Sequence, residues 1–206
     1  CRLCLVEIEG RPAPAPSCGL ACSEGMIVRT QSEQLTTMRH DLIDLFVSEH
    51  PLNCATCDKN GACELQHYAY EYGVGETSYD FAVSRQLYLD ATPFFVRDHQ
   101  YCILCGRCTR VCDEVVGLNA IDYAGRGFDS HIATPFDSIM LDSSCVFCGS
   151  CVQVCPTAAL APKAQHRKGR EWEFKHKRTI CGYCGVGCGI EYQLKGNEMV
   201  YARGYP

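Results

Sequence analysis

The chain has 206 residues, of which 47% are hydrophobic and 21% are charged, and its formal net charge at pH 7 is -5. This length is enough for one ordinary domain or for several small ones. The acidic balance argues against nucleic acid as the main partner, because phosphate binding needs a basic surface. The sequence has no apolar run of about 18 residues or more, so it predicts no membrane-spanning helix.

Cysteine is the outlier of the composition. The chain has 18 cysteines, a fraction typical of a disulfide scaffold or of a metal protein. Most of them lie two or three residues apart, which is the spacing of metal chelation. Disulfide bridges instead need cysteines whose Cβ atoms face each other across the fold, and thiols this close together would oxidise readily outside the cell. The sequence therefore predicts a metal protein of a reducing, cytoplasmic compartment.

The first module is predicted over residues 1–34 and contains the group Cys1-x2-Cys4-x13-Cys18. This group resembles the last three ligands of the plant-type-like [2Fe–2S] domain that opens the large iron–sulfur subunit of respiratory complex I. The resemblance implies a [2Fe–2S] site whose first ligand lies upstream, and we expect the natural chain to extend beyond both ends of this sequence. Cys22 is expected to be a small buried apolar residue. The alternative is that it replaces Cys18 as a ligand.

The second module is predicted over residues 35–80 and contains two helices. Apolar spacing predicts an amphipathic helix over Gln34–Ser48, which should end before Pro51. A shorter helix is predicted over Glu64–Tyr72, with Gly73 as its C-terminal stop.

Between these helices lies the group His50-x3-Cys54-x2-Cys57-x5-Cys63. Three cysteines leave the fourth corner of a [4Fe–4S] cluster without a ligand, and His50 can supply it. The alternative is a histidine that only stabilises the end of the preceding helix. The group resembles the His-plus-three-Cys [4Fe–4S] site of the complex I subunit, of iron-only hydrogenases and of some formate dehydrogenases. This resemblance implies ligation by His50.

The third module, residues 81–165, contains an internal repeat of the run C-x2-C-x2-C-x3-C. The two runs resemble the bacterial two-cluster ferredoxin, in which the fourth cysteine of each run ligates the cluster of the other run. Zinc also takes four thiolates, but its sites usually pair two C-x2-C knuckles. The resemblance implies one [4Fe–4S] cluster held by Cys102, Cys105, Cys108 and Cys155, and a second held by Cys145, Cys148, Cys151 and Cys112.

The last module is predicted over residues 166–206. Its basic stretch His166–Arg178 is predicted to be a linker, with the docking of an acidic electron carrier as the alternative. Ile190–Leu194 and Met199–Ala202 alternate in polarity around Gly196-Asn197, which predicts a β-hairpin.

The last module also carries Cys181-Gly-Tyr-Cys184-Gly-Val-Gly-Cys188-Gly. The pattern C-x2-C-x3-C resembles the start of the molybdenum or tungsten bis-pterin oxidoreductases, and formate dehydrogenases most closely. The resemblance implies three ligands of a [4Fe–4S] cluster that lies beside the pterin. Glycine allows the backbone to wrap closely around a cluster and to donate N–H groups to its sulfurs. A glycine-rich zinc knuckle is the alternative.

The predicted fold class is therefore α+β, a string of small iron–sulfur modules stapled by their clusters. The order of the motifs resembles the N-terminal part of the catalytic subunit of a cytoplasmic formate dehydrogenase. The resemblance implies an electron relay in a hetero-oligomer. Formate would be oxidised to CO2, or CO2 reduced, at a Mo- or W-bis-pterin guanine dinucleotide centre in a C-terminal part absent from this sequence. The other end of the relay would be a flavin/NAD diaphorase or a ferredoxin-type subunit. No residue of this stretch is expected to be catalytic, because its ligands only set potentials and distances.

Two other interpretations are kept. The large iron–sulfur subunit of complex I, or of an NAD-linked hydrogenase, shares the first half of the pattern, whereas the complete second ferredoxin run and Tyr183–Gly189 favour formate dehydrogenase. A zinc-stabilised interaction protein fits the cysteine count but not the spacing. The predicted metal ligands are Cys1, Cys4, Cys18, His50, Cys54, Cys57, Cys63, Cys102, Cys105, Cys108, Cys112, Cys145, Cys148, Cys151, Cys155, Cys181, Cys184 and Cys188.

Overall fold

The computed structural model describes residues 3–79 and 89–205 of the chain. In this part, four small antiparallel sheets and several short helices follow one another, which confirms the predicted α+β class. Cys1 and the predicted boundary between the second and third modules, at residues 80 and 81, lie outside the described residues. No helix of the described part is long and apolar enough to cross a membrane.

The first sheet is built on the strand β1 (Leu5–Ile8). It pairs antiparallel with β2 (Ala15–Pro16) on one side and with β3 (Val28–Arg29) on the other. Three of the four side chains of β1 are buried, because the strand packs against the first helix of the chain.

Two helices form the second module, α1 (Glu33–Ser48) and α2 (Glu64–Glu71). The hydroxyl of Ser32 begins α1 by accepting a hydrogen bond of 3.1 Å from the backbone N–H of Leu35. Both predicted helices are confirmed to within a residue of their ends. Their buried side chains Ile43, Val47 and Leu65 form one cluster, which Val74, beyond the end of α2, joins.

The third module combines five short strands with two one-turn helices. Its strands are β4 (Leu89–Ala91), β5 (Phe95–Asp98), β6 (Asp122–Ala124), β7 (His131–Ala133) and β8 (Leu160–Pro162), and its helices are α3 (Arg107–Arg110) and α4 (Ser150–Val154). β5 lies between β4 and β8, while β6 and β7 form a separate pair. α3 packs against α4, so the two halves of the sequence repeat face each other.

One apolar core holds this module together, and cysteines of both ferredoxin runs pack against its surface. The thiols therefore lie at the boundary between the core and the loops that precede α3 and α4. The buried core residues are Phe95, Ile121, Ile132, Met140, Cys151, Val152 and Leu160.

The last sheet contains β9 (Lys175–Ile180), β10 (Gly189–Lys195) and β11 (Glu198–Gly204), with β10 in the middle. The pairing of β10 with β11 confirms the predicted hairpin. The predicted linker over His166–Arg178 is wrong in its second half, because Lys175–Arg178 belongs to β9.

A buried carboxylate explains why this basic segment forms a strand. Glu191 on β10 is only 5% exposed. It accepts hydrogen bonds from Arg203 at 2.6 and 2.9 Å and from Arg178 at 3.3 Å, and it lies 3.1 Å from Nδ1 of His176. These contacts, led by those of Arg203, lower the pKa of Glu191 to about 2. The cations of β9 and β11 thus compensate a buried negative charge on the strand between them.

Side-chain contacts connect the modules to one another. The guanidinium of Arg39 on α1 donates to the carbonyl oxygens of Leu3 and Leu5, at 3.2 and 2.8 Å. Glu64 on α2 forms a two-bond ion pair with Arg107 on α3, with both N–O distances at 2.7 Å. The cysteine groups of neighbouring modules are therefore held in a defined arrangement.

Candidate metal centres

The four thiols predicted for the first cube line one cavity, which we call the Cys102 cavity. Cys102 and Cys105 lie on the loop that leads into α3, Cys108 lies in α3 itself, and Cys155 follows the end of α4. Burial, followed by the proximity of the other thiols, raises the pKa of Cys108. Four thiolates would repel one another here, so the arrangement calls for a positively charged group to neutralise them.

The second set of four thiols lines a separate cavity, the Cys145 cavity. It brings Cys145, Cys148 and Cys151 of the second run together with Cys112 of the first run. Burial, followed by the thiols of Cys145, Cys148 and Cys112, raises the pKa of Cys151 to about 12. The exchange of fourth ligands between runs that the ferredoxin resemblance implies is therefore matched by the fold. Ligation itself stays a prediction.

A π-helical turn brings Cys112 to the second cavity. α3 continues directly into a π-turn over Val111–Val115, and the N–H of Val116 donates to the carbonyl of Val111 at 3.0 Å. Such turns widen a helix and often mark functional positions. The Sγ of Cys112 also accepts a 3.3 Å hydrogen bond from the N–H of Ala120. The sequence gives no signal for this π-turn. The spacing of four residues between Cys108 and Cys112 suggests an ordinary α-helical turn.

The two loops repeat the same unusual backbone. Leu104 and Phe147 occupy equivalent positions and both have positive φ angles, of 52° and 55°, which non-glycine residues rarely adopt. This conformation turns the N–H of Leu104 toward the sulfur of Cys102 at 3.5 Å, and the N–H of Phe147 toward the sulfur of Cys145 at 3.4 Å. The strained backbone thus directs an N–H group at a thiol. This hydrogen bond lowers the free energy needed to form a thiolate at that position.

A glycine follows each of these strained residues and precedes the helix. Gly106 has a φ of 72° and Gly149 a φ of 78°. A Cβ at Gly106 would lie 2.5 Å from Oη of Tyr123, whereas a Cβ at Gly149 would meet nothing within 4 Å. The Tyr123 hydroxyl donates a 2.9 Å hydrogen bond to the carbonyl of Leu104. The first loop is therefore packed more tightly than the second.

The Cys102 and Cys145 cavities are adjacent. Ile121, Met140 and Cys151 line both of them, so a single layer of side chains separates the two. Groups bound in these cavities would be neighbours, with an apolar wall that excludes water between them.

The third complete set lines the His50 cavity, which contains His50, Cys54, Cys57 and Cys63. His50 follows the end of α1, and its ring meets the ring of Tyr101 edge-on, with 5.8 Å between centroids. Burial raises the pKa of both Cys57 and Cys63. The structure therefore brings the predicted histidine to the same cavity as the three thiols.

The first cysteine group is only partly described. The sulfurs of Cys4 and Cys18 lie 3.5 Å apart, and a hydrogen bond from the backbone of Cys18 is the main cause that lowers the pKa of Cys4. Cys22 is exposed, so the expectation that it is buried is wrong. The reason is that it lies in the segment 17–25, in which every residue except Leu20 is exposed.

Cys4 and Cys18 open onto a cleft lined by residues of the first three modules. Cys105 of the Cys102 cavity lines the same cleft, together with Arg107 and Pro156. The first cysteine group is thus a direct neighbour of the Cys102 cavity.

The last group lies on the loop between β9 and β10. The N–H of Cys181 donates to the carbonyl of Cys188 at 2.8 Å and closes this loop. Cys184 and Cys188 are exposed, and the side chain of Tyr183 between the cysteines is 96% exposed. The structure therefore presents three predicted ligands on one exposed loop.

Among the described residues, no group of three or more His, Cys, Asp or Glu side chains is close enough to hold a single metal ion.

Family comparisons agree with the order of these sites. The description "2Fe-2S iron-sulfur cluster binding domain" matches residues 1–33 and "NADH-ubiquinone oxidoreductase-G iron-sulfur binding region" matches 39–78. "NADH-quinone oxidoreductase subunit 3, ferredoxin-like domain" matches 92–161, and "Molybdopterin oxidoreductase Fe4S4 domain" matches 174–206.

A solved structure extends the likeness over most of the chain. It is the crystal structure of an NAD+-reducing [NiFe]-hydrogenase in the H2-reduced state, with a TM-score of 0.70 and 33% sequence identity. The match covers 80% of this chain and 69% of the hydrogenase chain. The chain belongs to the iron–sulfur region of the NADH-quinone oxidoreductase-G and molybdopterin oxidoreductase family.

Curated relatives extend this likeness along nearly the full sequence. The alpha subunit of the NADPH-Fe(3+) oxidoreductase of Geobacter sulfurreducens is 37% identical over 199 residues, which cover 97% of this chain and 23% of the relative. NADH-quinone oxidoreductase subunit 3 of Thermus thermophilus is 32% identical over 212 residues, with 96% of this chain and 26% of the relative covered. The chain thus spans about a quarter of the length of these relatives. None of these three names is that of a formate dehydrogenase, and the comparisons fit the complex I and hydrogenase interpretation better.

Proposed function

We propose that this chain is an electron relay that connects a nicotinamide-dependent flavin subunit to a second redox centre of the same complex. The observation that carries the proposal is geometric. Three cavities are each lined by one complete predicted set of ligands, and two of these cavities share a wall. Bound iron–sulfur clusters would supply one-electron oxidation and reduction.

Each site has residues suited to a cluster. The thiols are grouped by four, or by three with one histidine, around largely apolar cavities with backbone N–H groups directed at sulfur. Such a donor set fits [4Fe–4S] clusters, whose potentials depend on hydrogen bonds to sulfur and on exposure. The proposed sets are Cys102, Cys105, Cys108 and Cys155; Cys145, Cys148, Cys151 and Cys112; His50, Cys54, Cys57 and Cys63; Cys1, Cys4 and Cys18 within a [2Fe–2S] site; and Cys181, Cys184 and Cys188 within a further [4Fe–4S] site.

Residues between the cavities support a continuous path. Tyr101 meets the ring of His50 on one side, and its carbonyl accepts a 2.6 Å hydrogen bond from the hydroxyl of Thr157 on the other. Thr157 lies two residues after Cys155 and lines the Cys102 cavity. One ring contact, the residue Tyr101 and one hydrogen bond therefore link the His50 cavity to the Cys102 cavity. The Cys102 cavity also borders the Cys145 cavity and the cleft of the first cysteine group.

The proposed partners follow from the names of the relatives. NADPH, NADH and NAD+ occur in the three names reported above, so their shared element is a nicotinamide nucleotide. A diaphorase subunit that binds flavin and NAD(P) therefore fits one end of the relay, in a hetero-oligomer. Neither that subunit nor the second redox centre belongs to this chain.

Formate oxidation remains a second candidate, with a Mo- or W-bis-pterin centre in a C-terminal part. The match of the Molybdopterin oxidoreductase Fe4S4 domain over residues 174–206 favours it. The likeness to the Geobacter sulfurreducens oxidoreductase, however, extends over 97% of this chain and so includes most of the same region. This module alone therefore does not distinguish the candidates.

Reduction of the native complex by different donors tests the proposal. NADH or NADPH, added anaerobically to the purified complex, should bleach its brown absorbance and produce the electron paramagnetic resonance (EPR) signals of reduced clusters. Reduction by formate, but not by either nucleotide, would support the second candidate. Reduction by dithionite alone would contradict a nicotinamide-linked relay.

A further inference from the structure

The segment 166–173, which we call the strap, lies across the loop that carries three ligands of the His50 cavity. Asp58 in that loop is held from the strap at two points. One carboxylate oxygen lies 2.5 Å from Nδ1 of His166, and the other accepts a 3.2 Å hydrogen bond from the N–H of Arg167. The predicted linker therefore packs against a different module.

Arg170 makes the most specific contacts of the strap. Its guanidinium donates to the carbonyl of Cys57 at 2.6 Å and to the carbonyl of Ala55 at 2.8 Å. Charge-assisted bonds from a planar guanidinium to two acceptors fix their relative orientation. Arg170 thus fixes the backbone between the predicted ligands Cys54 and Cys57.

A second contact covers the other end of the ligand loop. Trp172 lies over Gly61, where an added Cβ would be 3.0 Å from the indole ring. Gly61 has a φ of 86°, and its N–H donates to the side-chain oxygen of Gln66 at 3.0 Å. The strap therefore contacts the ligand loop at two places. One is the stretch 55–58, and the other is Gly61, which lies between Cys57 and Cys63.

Two carboxylates lie near Arg170. The nearest oxygen of Asp58 is 4.0 Å from its guanidinium, and Asp58 is shared with His166. The exposed Glu173 accepts a 2.9 Å hydrogen bond from the backbone N–H of Arg170. The guanidinium donates to the carbonyl of Cys57, a residue that lines the His50 cavity. A cation at this position favours extra negative charge in the cavity, which is what a reduced cluster carries.

We propose that Arg170 is a positioning residue of the His50 site, which holds the Cys54–Cys57 loop in its ligating conformation and raises the reduction potential of the group bound there. This inference rests on the proposed function, in which His50, Cys54, Cys57 and Cys63 hold a [4Fe–4S] cluster. It makes a residue of the strap part of a site in the second module. The last module is thereby coupled mechanically and electrostatically to the His50 cavity.

The test compares three variants of the full protein, Arg170→Gln, Arg170→Lys and Lys168→Gln, by EPR-monitored redox titration. The control Lys168→Gln removes an exposed positive charge from the same strap. At the potential where the native His50 cluster is half reduced, Arg170→Gln should lower its ratio of reduced to oxidised form by about tenfold. Lys168→Gln should change this ratio by less than about twofold. Equal shifts in these two variants would overturn the electrostatic role.

Arg170→Lys keeps the positive charge but loses the planar guanidinium that donates to two carbonyls. It should retain a potential close to native, while amide hydrogen exchange speeds up over residues 55–63. Native exchange rates in both Arg170 variants would overturn the positioning role. Failure of the proposed function is distinguishable, because the native protein would then show no cluster signal that is altered by His50→Cys, whatever the Arg170 variants do.

Discussion

Replacing Gly106 by alanine should destabilise the Cys102 site through two separate effects. The first is backbone strain, because Gly106 has a φ of 72° and a residue with a Cβ is less stable there by about 1–2 kcal/mol. The second is the clash with Tyr123, whose Oη lies 2.5 Å from the added Cβ. Tyr123 must move and lose its bond to the carbonyl of Leu104, which costs about 1 kcal/mol. The expected total is about 2–3 kcal/mol.

The internal repeat supplies a matched control. Gly149 has nearly the same φ, 78°, but an added Cβ there meets nothing within 4 Å. Gly149→Ala should therefore cost only the strain, about 1–2 kcal/mol. Tyr123→Phe removes the clashing oxygen, so Gly106→Ala in that background should cost about as little as Gly149→Ala. The predicted coupling between the two substitutions is about 1 kcal/mol.

The assay is the rate at which each variant loses its brown absorbance in urea under strict anaerobic conditions, with iron per chain measured at the start. If the whole loss of stability increases the rate of cluster loss, a difference of 1 kcal/mol corresponds to about a fivefold difference in that rate. Gly106→Ala should lose its clusters about fivefold faster than Gly149→Ala, and Tyr123→Phe should remove that difference. Equal rates for the two alanine variants, with no effect of Tyr123→Phe, would refute the packing argument.

Three further predictions concern reactivity, pH and potential. In protein stripped of metal, Cys148 should react with an alkylating agent before Cys151. The Ser150 hydroxyl lowers the pKa of the exposed Cys148, whereas burial raises the pKa of Cys151 to about 12. Peptide mass spectrometry that finds both cysteines alkylated together would contradict this prediction. Glu191 has a folded pKa of about 2, lowered from 4.5, so its stabilisation of the last sheet is present above pH 4.5 and is lost as the pH falls toward 2. Amide exchange in β9–β11, corrected for intrinsic rates, should show this loss, and Glu191→Gln should flatten it; an unchanged pH profile in the variant would refute the assignment. His50→Cys should lower the midpoint potential of its cluster, because a thiolate adds a negative charge that neutral imidazole lacks; potentiometry that finds the same or a higher value would contradict ligation by neutral His50.

Features that depend on residues close together in the sequence could be predicted from the sequence alone. Cysteine spacing predicted the first three thiols of each run that share a cavity, because these lie close together along the chain. The exchange of the fourth cysteine between runs was implied only by the resemblance to ferredoxins. The helix over Gln34–Ser48 was predictable because its apolar face repeats with the helical period. The hairpin around Gly196-Asn197 was predictable for a similar local reason, since this dipeptide favours a tight turn between alternating strands.

Long-range partners account for what sequence reasoning missed. Lys175–Arg178 was predicted as a linker because of its basic residues, but it forms a strand in which His176 and Arg178 contact Glu191, 15 and 13 residues further on. The contacts of Arg170 with Ala55 and Cys57 join residues more than a hundred positions apart. The choice between formate dehydrogenase and complex I was beyond reach for another reason. The modules match complex I and molybdopterin oxidoreductase descriptions side by side, so their order alone does not decide between the two.

Metal analysis combined with EPR spectroscopy tests the central claim most directly. Iron, zinc, molybdenum and tungsten would be quantified on anaerobically purified native protein, and the same sample would be reduced with dithionite. The account predicts abundant iron and overlapping, fast-relaxing [4Fe–4S] signals, because three cavities each hold a complete set of ligands. Molybdenum or tungsten in addition would favour formate oxidation over the nicotinamide-linked alternatives. Zinc in place of iron, with no EPR signal after reduction, would contradict the electron relay.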